Sequence, residues 1–367
     1  MGKISAKKLL LLLVGGLAIQ TTFACTAIEV QAQDGTVVAG RTMEWSYNMD
    51  WNFLFYPQNS TFQLLAPSQT SKPTTVVSKY AVLGIGTGLA NNAMLDGQNS
   101  AGVSISGNFM PGFTQYATAT AKTQNYLAAT DFIRFVLSSY GSVAEVQKNI
   151  GKYTVFGPVI PSVPVSPVLH FMITDKTGAN IVVEFINGKT VIFTKTAGVM
   201  TNAPNYDWHM TNLGNYINLS NSGTSSVTTS KLGDITAVGQ GGGAIGLPGD
   251  YTPPSRFIKA AYLVHYADRA SGSATAVNEV VHILNNVDIP LGAVVAVDNG
   301  VTVPDSTQWI DVKDLNNNLF HFADYAHRQD LVTINMNTLI QNGKQIILPI
   351  ADLKYPNMDI TSTLISN

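Results

Sequence analysis

Ala24-Cys25-Thr26-Ala27-Ile28-Glu29-Val30-Gln31, then Asp34-Gly35, then Thr36-Val37-Val38-Ala39-Gly40-Arg41-Thr42-Met43-Glu44-Trp45 is the stretch that decides how this chain is read. Thr26 to Gln31 alternates around Ile28 and Val30 as a strand does. Asp34-Gly35 is a tight-turn signal, and the run from Thr36 is the return strand. The predicted hairpin has Cys25 at its open end, and the return strand runs on past that end. Arg41 and Glu44 are therefore expected near Cys25 for local reasons alone. Cys25 is the only cysteine in 367 residues.

What precedes the hairpin gives that cysteine a second meaning. Lys3, Lys7 and Lys8 make a basic start, Leu9 to Ala18 is apolar, and Thr22 and Ala24 place small residues third-last and last before Cys25. This is the layout of a cleavable secretory signal, too short for a membrane span. Residues 1–24 are expected to be removed, leaving 25–367 as a single domain, exported to the periplasm or secreted, with Cys25 at its N-terminus. An N-terminal cysteine carries a thiol (ordinary pKa about 8.5) and an α-amine (about 8), so nucleophile and base sit on one residue, nearly matched. Two other readings attach to the same residue. One is a buried free cysteine acting as a small apolar side chain. The other is an acylated lipoprotein anchor, against which stands Thr22 where such signals carry leucine.

Composition narrows the function classes. Charged residues make up 12% and the net charge is −2, so there is no basic stripe for nucleic acid. A lone cysteine forms no internal disulfide. Beyond the signal there is no apolar run long enough to span a membrane. Six histidines are scattered without metal-ligand spacing. The glycine run Gly239 to Gly243 lacks a following Gly-Lys-Ser/Thr, and no Gly-x-Ser-x-Gly elbow exists. No cofactor or metal is implied. By elimination Cys25 is the leading nucleophile, with its own amine as base.

Along the chain, further strands are expected at Asn52 to Tyr56, Tyr80 to Ile85 and Gly102 to Ser106, with Asp96-Gly97 as punctuation. Thr130-Asp131 reads as the N-cap of one helix and Ser142 as the start of a second. After an extended loop from Pro158 to Pro167 comes a meander from His170 to Lys195. Helices from Ser255 and Ala276 and strands around Ala293, Trp309 and Phe320 follow. Strands, helices, strands, helices, strands in that order suit an α+β fold with sheets and helices in separate layers.

Several segments, in order, resemble the choloylglycine hydrolase family of bile salt hydrolases and penicillin V acylases. They are Cys25-Thr26, Gly40 to Trp45, Met200-Thr201-Asn202-Ala203-Pro204-Asn205-Tyr206-Asp207-Trp208 with Thr211-Asn212-Leu213, and Gly246 to Pro253 with Ser255-Arg256-Phe257. The resemblance implies the four-layer αββα sandwich of the N-terminal nucleophile hydrolases, acting on a small-molecule linear N-acyl amide through a thioester. It makes Cys25 nucleophile and base, puts Arg41 beside the thiol, and gives the Asn202 amide to the oxyanion. Arg256 takes the charge network around the nucleophile. It also implies a homotetramer, with the Ser220 to Asp250 loop as a candidate contact. Glu44 stands where the family has Asp, in the position expected to hold the nucleophile's amine; Asp50 imitates that carboxylate without the preceding arginine. An ungapped reading puts Phe109 at the oxyanion and substrate position, and a one-residue slip puts Asn108 there. A phenyl face suits a flat or alkyl acyl group, so penicillin V acylase-like or acyl-homoserine-lactone acylase-like hydrolysis is expected. Conjugated bile salt hydrolysis, or a catalytically weak binding protein on the same fold, is the alternative.

Overall fold

Alternation and turn chemistry at the start of the chain build the hairpin they predict. β1 (Thr26–Gln31) and β2 (Val37–Trp45) pair antiparallel, Thr26 opposite Thr42 and Ala27 opposite Arg41. That register carries Cys25 to the level of Met43. The structure, a computed structural model, describes residues 24–160, 167–298 and 301–356. The predicted signal sequence up to residue 23, the middle of the proline-rich loop (161–166) and the end of the tail lie outside the described residues.

Two sheets face each other. The first continues from the hairpin through β10 (Val199–Met200), β11 (Val301–Asp314), β12 (Leu319–Asp324) and β13 (Val332–Asn335), in the order β10-β1-β2-β11-β12-β13, with Val294–Asp298 paired to the start of β11. The second contains β3 (Trp51–Tyr56), β4 (Val82–Thr87), β5 (Ala93–Asn99), β6 (Val103–Phe109), β7 (Leu169–Asp175), β8 (Asn180–Ile186), β9 (Lys189–Phe193) and β14 (Ile346–Pro349), in the order β9-β8-β7-β6-β5-β4-β3-β14. Helices cover the outer faces. α1 (Phe132–Ser139) packs on β5 and β6 and α2 (Val143–Asn149) on β7. α4 (Pro253–Tyr266) and α5 (Ser273–Asn285) pack on β1 and β2, while α3 (Tyr206–Asn212) follows the β10 loop. The result is the αββα sandwich, both sheets buried on two faces, which is why β2 has no exposed residue. Among the described residues no helix is long and apolar enough to cross a membrane.

Two sequence expectations change. Asp131 does not cap α1 with its side chain; the carboxylate instead accepts the Leu65 N–H at 2.6 Å. Asp96-Gly97 is not a turn but the middle of β5, where Gly97 lies opposite Gly84 of β4. A methyl group on Gly97 would stand 2.7 Å from the Leu83 carbonyl oxygen and 3.1 Å from the Gly84 Cα. Close approach of two strands, not turn conformation, selects this glycine. Gly97→Ala is expected to lower unfolding free energy by about 2 kcal/mol or more in a urea titration; an unchanged midpoint would mean that the strands yield freely.

Candidate active site

Strand alternation sorts β2 into two sets: Arg41 and Met43 share one face, Thr42 and Glu44 the other. The thiol belongs to the first. Cys25, 1% exposed, has Met43 Sδ at 3.7 Å and receives Arg41 Nη2 at 3.3 Å. Arg41 also donates from Nη1 to the Leu95 carbonyl at 2.6 Å and lies 3.8 Å from the Asp96 carboxylate. Lys313 bridges Asp96 and Asp311, the latter at 2.8 Å. A buried cation next to the thiol is thus held by a buried set of two further carboxylates and one ammonium, as charges at this depth require. The balance for the thiol itself runs against ionisation. Burial pushes the Cys25 pKa up, and the pull of Arg41 toward thiolate is the smaller effect.

The carboxylate belongs to the other face. Glu44 accepts hydrogen bonds from Thr307 Oγ1 at 2.6 Å and Thr42 Oγ1 at 3.1 Å, and Thr42 Oγ1 in turn accepts the Thr26 N–H at 3.2 Å. In the unprocessed chain the Cys25 nitrogen is an amide with a single hydrogen, and Glu44 does not receive it. That N–H donates to Asn202 Oδ1 at 2.9 Å, and Glu44 reaches the nucleophile strand one residue later, through Thr42. Period-two alternation is the reason. Asp50 is exposed, outside this arrangement.

Burial lifts the Glu44 pKa to about 8, against the lowering by Arg256 and the two threonines. An unfolded glutamate titrates near pH ~4.3, so between these values the folded chain binds the extra proton. The stability tied to that proton is complete below about pH 4 and lost as pH rises through about 8. Glu44→Gln cannot titrate. The melting temperature of the parent relative to this variant is expected to drop by a few degrees between pH 5 and pH 9; a constant difference would show Glu44 ionised throughout.

Asn202 and Arg256 close on the nucleophile's backbone. Arg256 Nη1 donates to the Cys25 carbonyl and to Thr26 Oγ1, both at 2.7 Å, and Nη2 donates to Asn202 Oδ1 at 2.6 Å. Asn202 Nδ2 donates to the Phe109 carbonyl at 2.8 Å. One asparagine side chain thereby ties β1, β6 and α4 together. A second group of buried residues, not singled out as chemistry in the sequence, fixes the Asn202 loop. His170 Nε2 lies 3.0 Å from the Thr201 carbonyl and His209 Nε2 3.0 Å from the Asn202 carbonyl. Glu184 accepts from Asn205 Nδ2 at 3.0 Å and from the Tyr206 N–H at 2.9 Å. Burial pulls the His209 pKa down to about 4, so at neutral pH it is an uncharged donor to that carbonyl. Only recognition of α3, which sequence reading missed, would have signalled His209.

The family model described as linear amide C–N hydrolases, choloylglycine hydrolase family, matches residues 25–348. The bile salt hydrolase/transferase of Clostridium perfringens is 33% identical over 326 residues, covering 88% of this chain and 95% of that protein. The crystal structure of a variant conjugated bile acid hydrolase from C. perfringens superposes with a TM-score of 0.80 at 29% identity, over 92% of this chain and 100% of that one. The penicillin V acylase of Agrobacterium tumefaciens shares the fold at a TM-score of 0.70 and 21% identity, over 89% of this chain and 91% of that one. The chain belongs to the choloylglycine hydrolase family. It is accordingly a hydrolase of linear amide C–N bonds.

Within this hydrolase the two faces of β6 place Phe109 and Asn108 differently. Phe109 lines an apolar cavity over Cys25, with its ring edge-on to Trp45 at 5.2 Å. Asn108 turns away and donates from Nδ2 to the Thr201 carbonyl at 2.8 Å. Met49, Met94 and Leu169 complete the cavity wall near the thiol.

Proposed function

We propose that this enzyme cleaves N-acyl amides whose acyl group begins with an apolar aromatic or alkyl portion, in the manner of a penicillin V or acyl-homoserine-lactone acylase. The observation that carries this reading is the placement of the Cys25 thiol at the wall of a cavity lined by Phe109, Trp45, Met49 and Leu169. In the full chain the Cys25 nitrogen is still bonded to Ala24. Removal of residues 1–24 by export processing would release it as an amine, coupling localisation in the periplasm or medium to activation.

The freed amine takes the Sγ proton, and the thiolate adds to the amide carbon, sending the carbonyl π pair onto oxygen. Asn202 Nδ2 has one hydrogen on Phe109 and a second for that oxyanion. The tetrahedral adduct collapses by breaking the C–N bond, and the Cys25 ammonium gives its proton to the leaving nitrogen. Water, deprotonated by the same amine, then cleaves the thioester, releasing the acid and restoring the thiol. For assembly, the hairpin of Ser226–Thr229 and Gly233–Thr236 exposes Val227, Leu232 and Ile235, which supports a homotetramer; light scattering tests it.

The deciding experiment has two parts. Mass spectrometry of the exported protein is expected to give Cys25 as N-terminus with an unmodified amine; an acylated amine or an earlier start would sink the mechanism. A parallel hydrolysis screen of penicillin V, acyl-homoserine lactones and conjugated bile salts is expected to favour the first two. Faster bile salt cleavage would transfer the substrate reading to that of the C. perfringens relative.

A further inference from the structure

The cavity over Cys25 borders a second, larger one. Ala90, Ala93, Met94, Thr130 and Ile160 line both, and the second encloses about 630 Å3. Arg134 of α1 lines this outer chamber. Its guanidinium is pinned between two rings, 3.7 Å from the Tyr56 centroid and 4.0 Å from that of Phe62. Stacking fixes the plane of the guanidinium but leaves its in-plane donors unspent. Among the described residues the Arg134 side chain makes no hydrogen bond and no ion pair, and its buried Nε has no acceptor. The nearby Asp131 carboxylate accepts the Leu65 N–H; burial raises its pKa while the charge of Arg134 pulls it down, an interaction made without direct contact. Ser71, 7% exposed, lines the same chamber, and its buried Oγ has no hydrogen-bond partner. An oriented cation and an unused hydroxyl, reached from the nucleophile across apolar walls, are what a chain with an anionic end requires.

We propose that Arg134 is a specificity residue that binds a carboxylate at the far end of the acyl chain, so that the preferred substrates are ω-carboxyacyl amides. The apolar inner cavity takes the methylenes next to the scissile carbonyl, and the outer chamber takes the anion. A planar fork pairing with a carboxylate in a partly desolvated site gives selectivity that a bare point charge does not. The assignment rests on Cys25 acting on linear N-acyl amides, and the test separates the two ideas.

Two series of N-acyl p-nitroanilides, with chains of roughly six to ten carbons ending in methyl or carboxylate, serve as probes. Binding is measured by calorimetry on Cys25→Ala protein and turnover on protein with Cys25 intact, each with Arg134, Arg134→Lys and Arg134→Met. The carboxylate-to-methyl preference is expected to fall about tenfold or more in Arg134→Met, in binding and in kcat/KM through KM, with partial retention in Arg134→Lys. The preference should also shrink with added salt. Arg134→Gln, similar in length and neutral, replaces the methionine variant if that one does not fold. A carboxylate preference equal in all variants, or none in the parent, overturns the proposal. Binding preference without any turnover would overturn the Cys25 mechanism and leave the Arg134 site standing.

Discussion

Replacing Cys25 by alanine is expected to reduce hydrolysis to less than about 10⁻⁴ of the parent rate, because both halves of the chemistry pass through Sγ. The change removes one buried sulfur, and its neighbours retain other partners. Arg41 keeps the Leu95 carbonyl and Asp96, and the Cys25 N–H bond to Asn202 is a backbone contact that alanine preserves. Stability should therefore stay within about 1 kcal/mol of the parent. Cys25→Ser is the more discriminating partner variant. Its hydroxyl fits the space and can be served by the same amine, but oxygen is a weaker nucleophile than sulfur in a site shaped for the thiol, so kcat should fall strongly. Assaying the best substrate of the screen alongside thermal unfolding checks both. Substantial residual turnover by folded Cys25→Ala would mean that another nucleophile does the work.

The hairpin was legible because everything that specifies it is local: alternation, an Asp-Gly turn, and a return strand of matching length. What lies across the sandwich was not legible by spacing. Asn202 and Arg256 contact Cys25 from 177 and 231 residues away, and only resemblance to a family brought them together in advance. Asp96-Gly97 misled because the dipeptide is a strong turn signal, and strand proximity at Gly84 overrode it. The same misreading hid Asp96 as the buried counter-charge of Arg41 and Lys313. Glu44 was legible in part. Nearness in sequence placed it beside Cys25, whereas the period of two, visible in the same residues, assigns its carboxylate to the opposite face from Arg41 and Met43. α3, seven residues long, carries too little pattern to be read alone, and with it went His209.

Asn202→Ala tests how much of the site is positioning rather than chemistry. In this structure the side chain does three things at once: it accepts the Cys25 N–H, accepts Arg256 Nη2 and donates to the Phe109 carbonyl. Truncation leaves a buried carbonyl without its donor and a buried guanidinium without one acceptor, a stability loss of about 2–4 kcal/mol. It also removes the oxyanion donor, for which a hundredfold to thousandfold drop in kcat is the usual order. Asn202→Asp separates the two contributions. Aspartate keeps an acceptor for the Cys25 nitrogen and strengthens the pair with Arg256, but it offers the Phe109 carbonyl and the oxyanion a repelling oxygen. Unfolding free energy should recover partly in Asn202→Asp while kcat stays as low as in the alanine variant. If kcat recovers with stability, Asn202 acts by holding Cys25 in place and the oxyanion is stabilised by other donors.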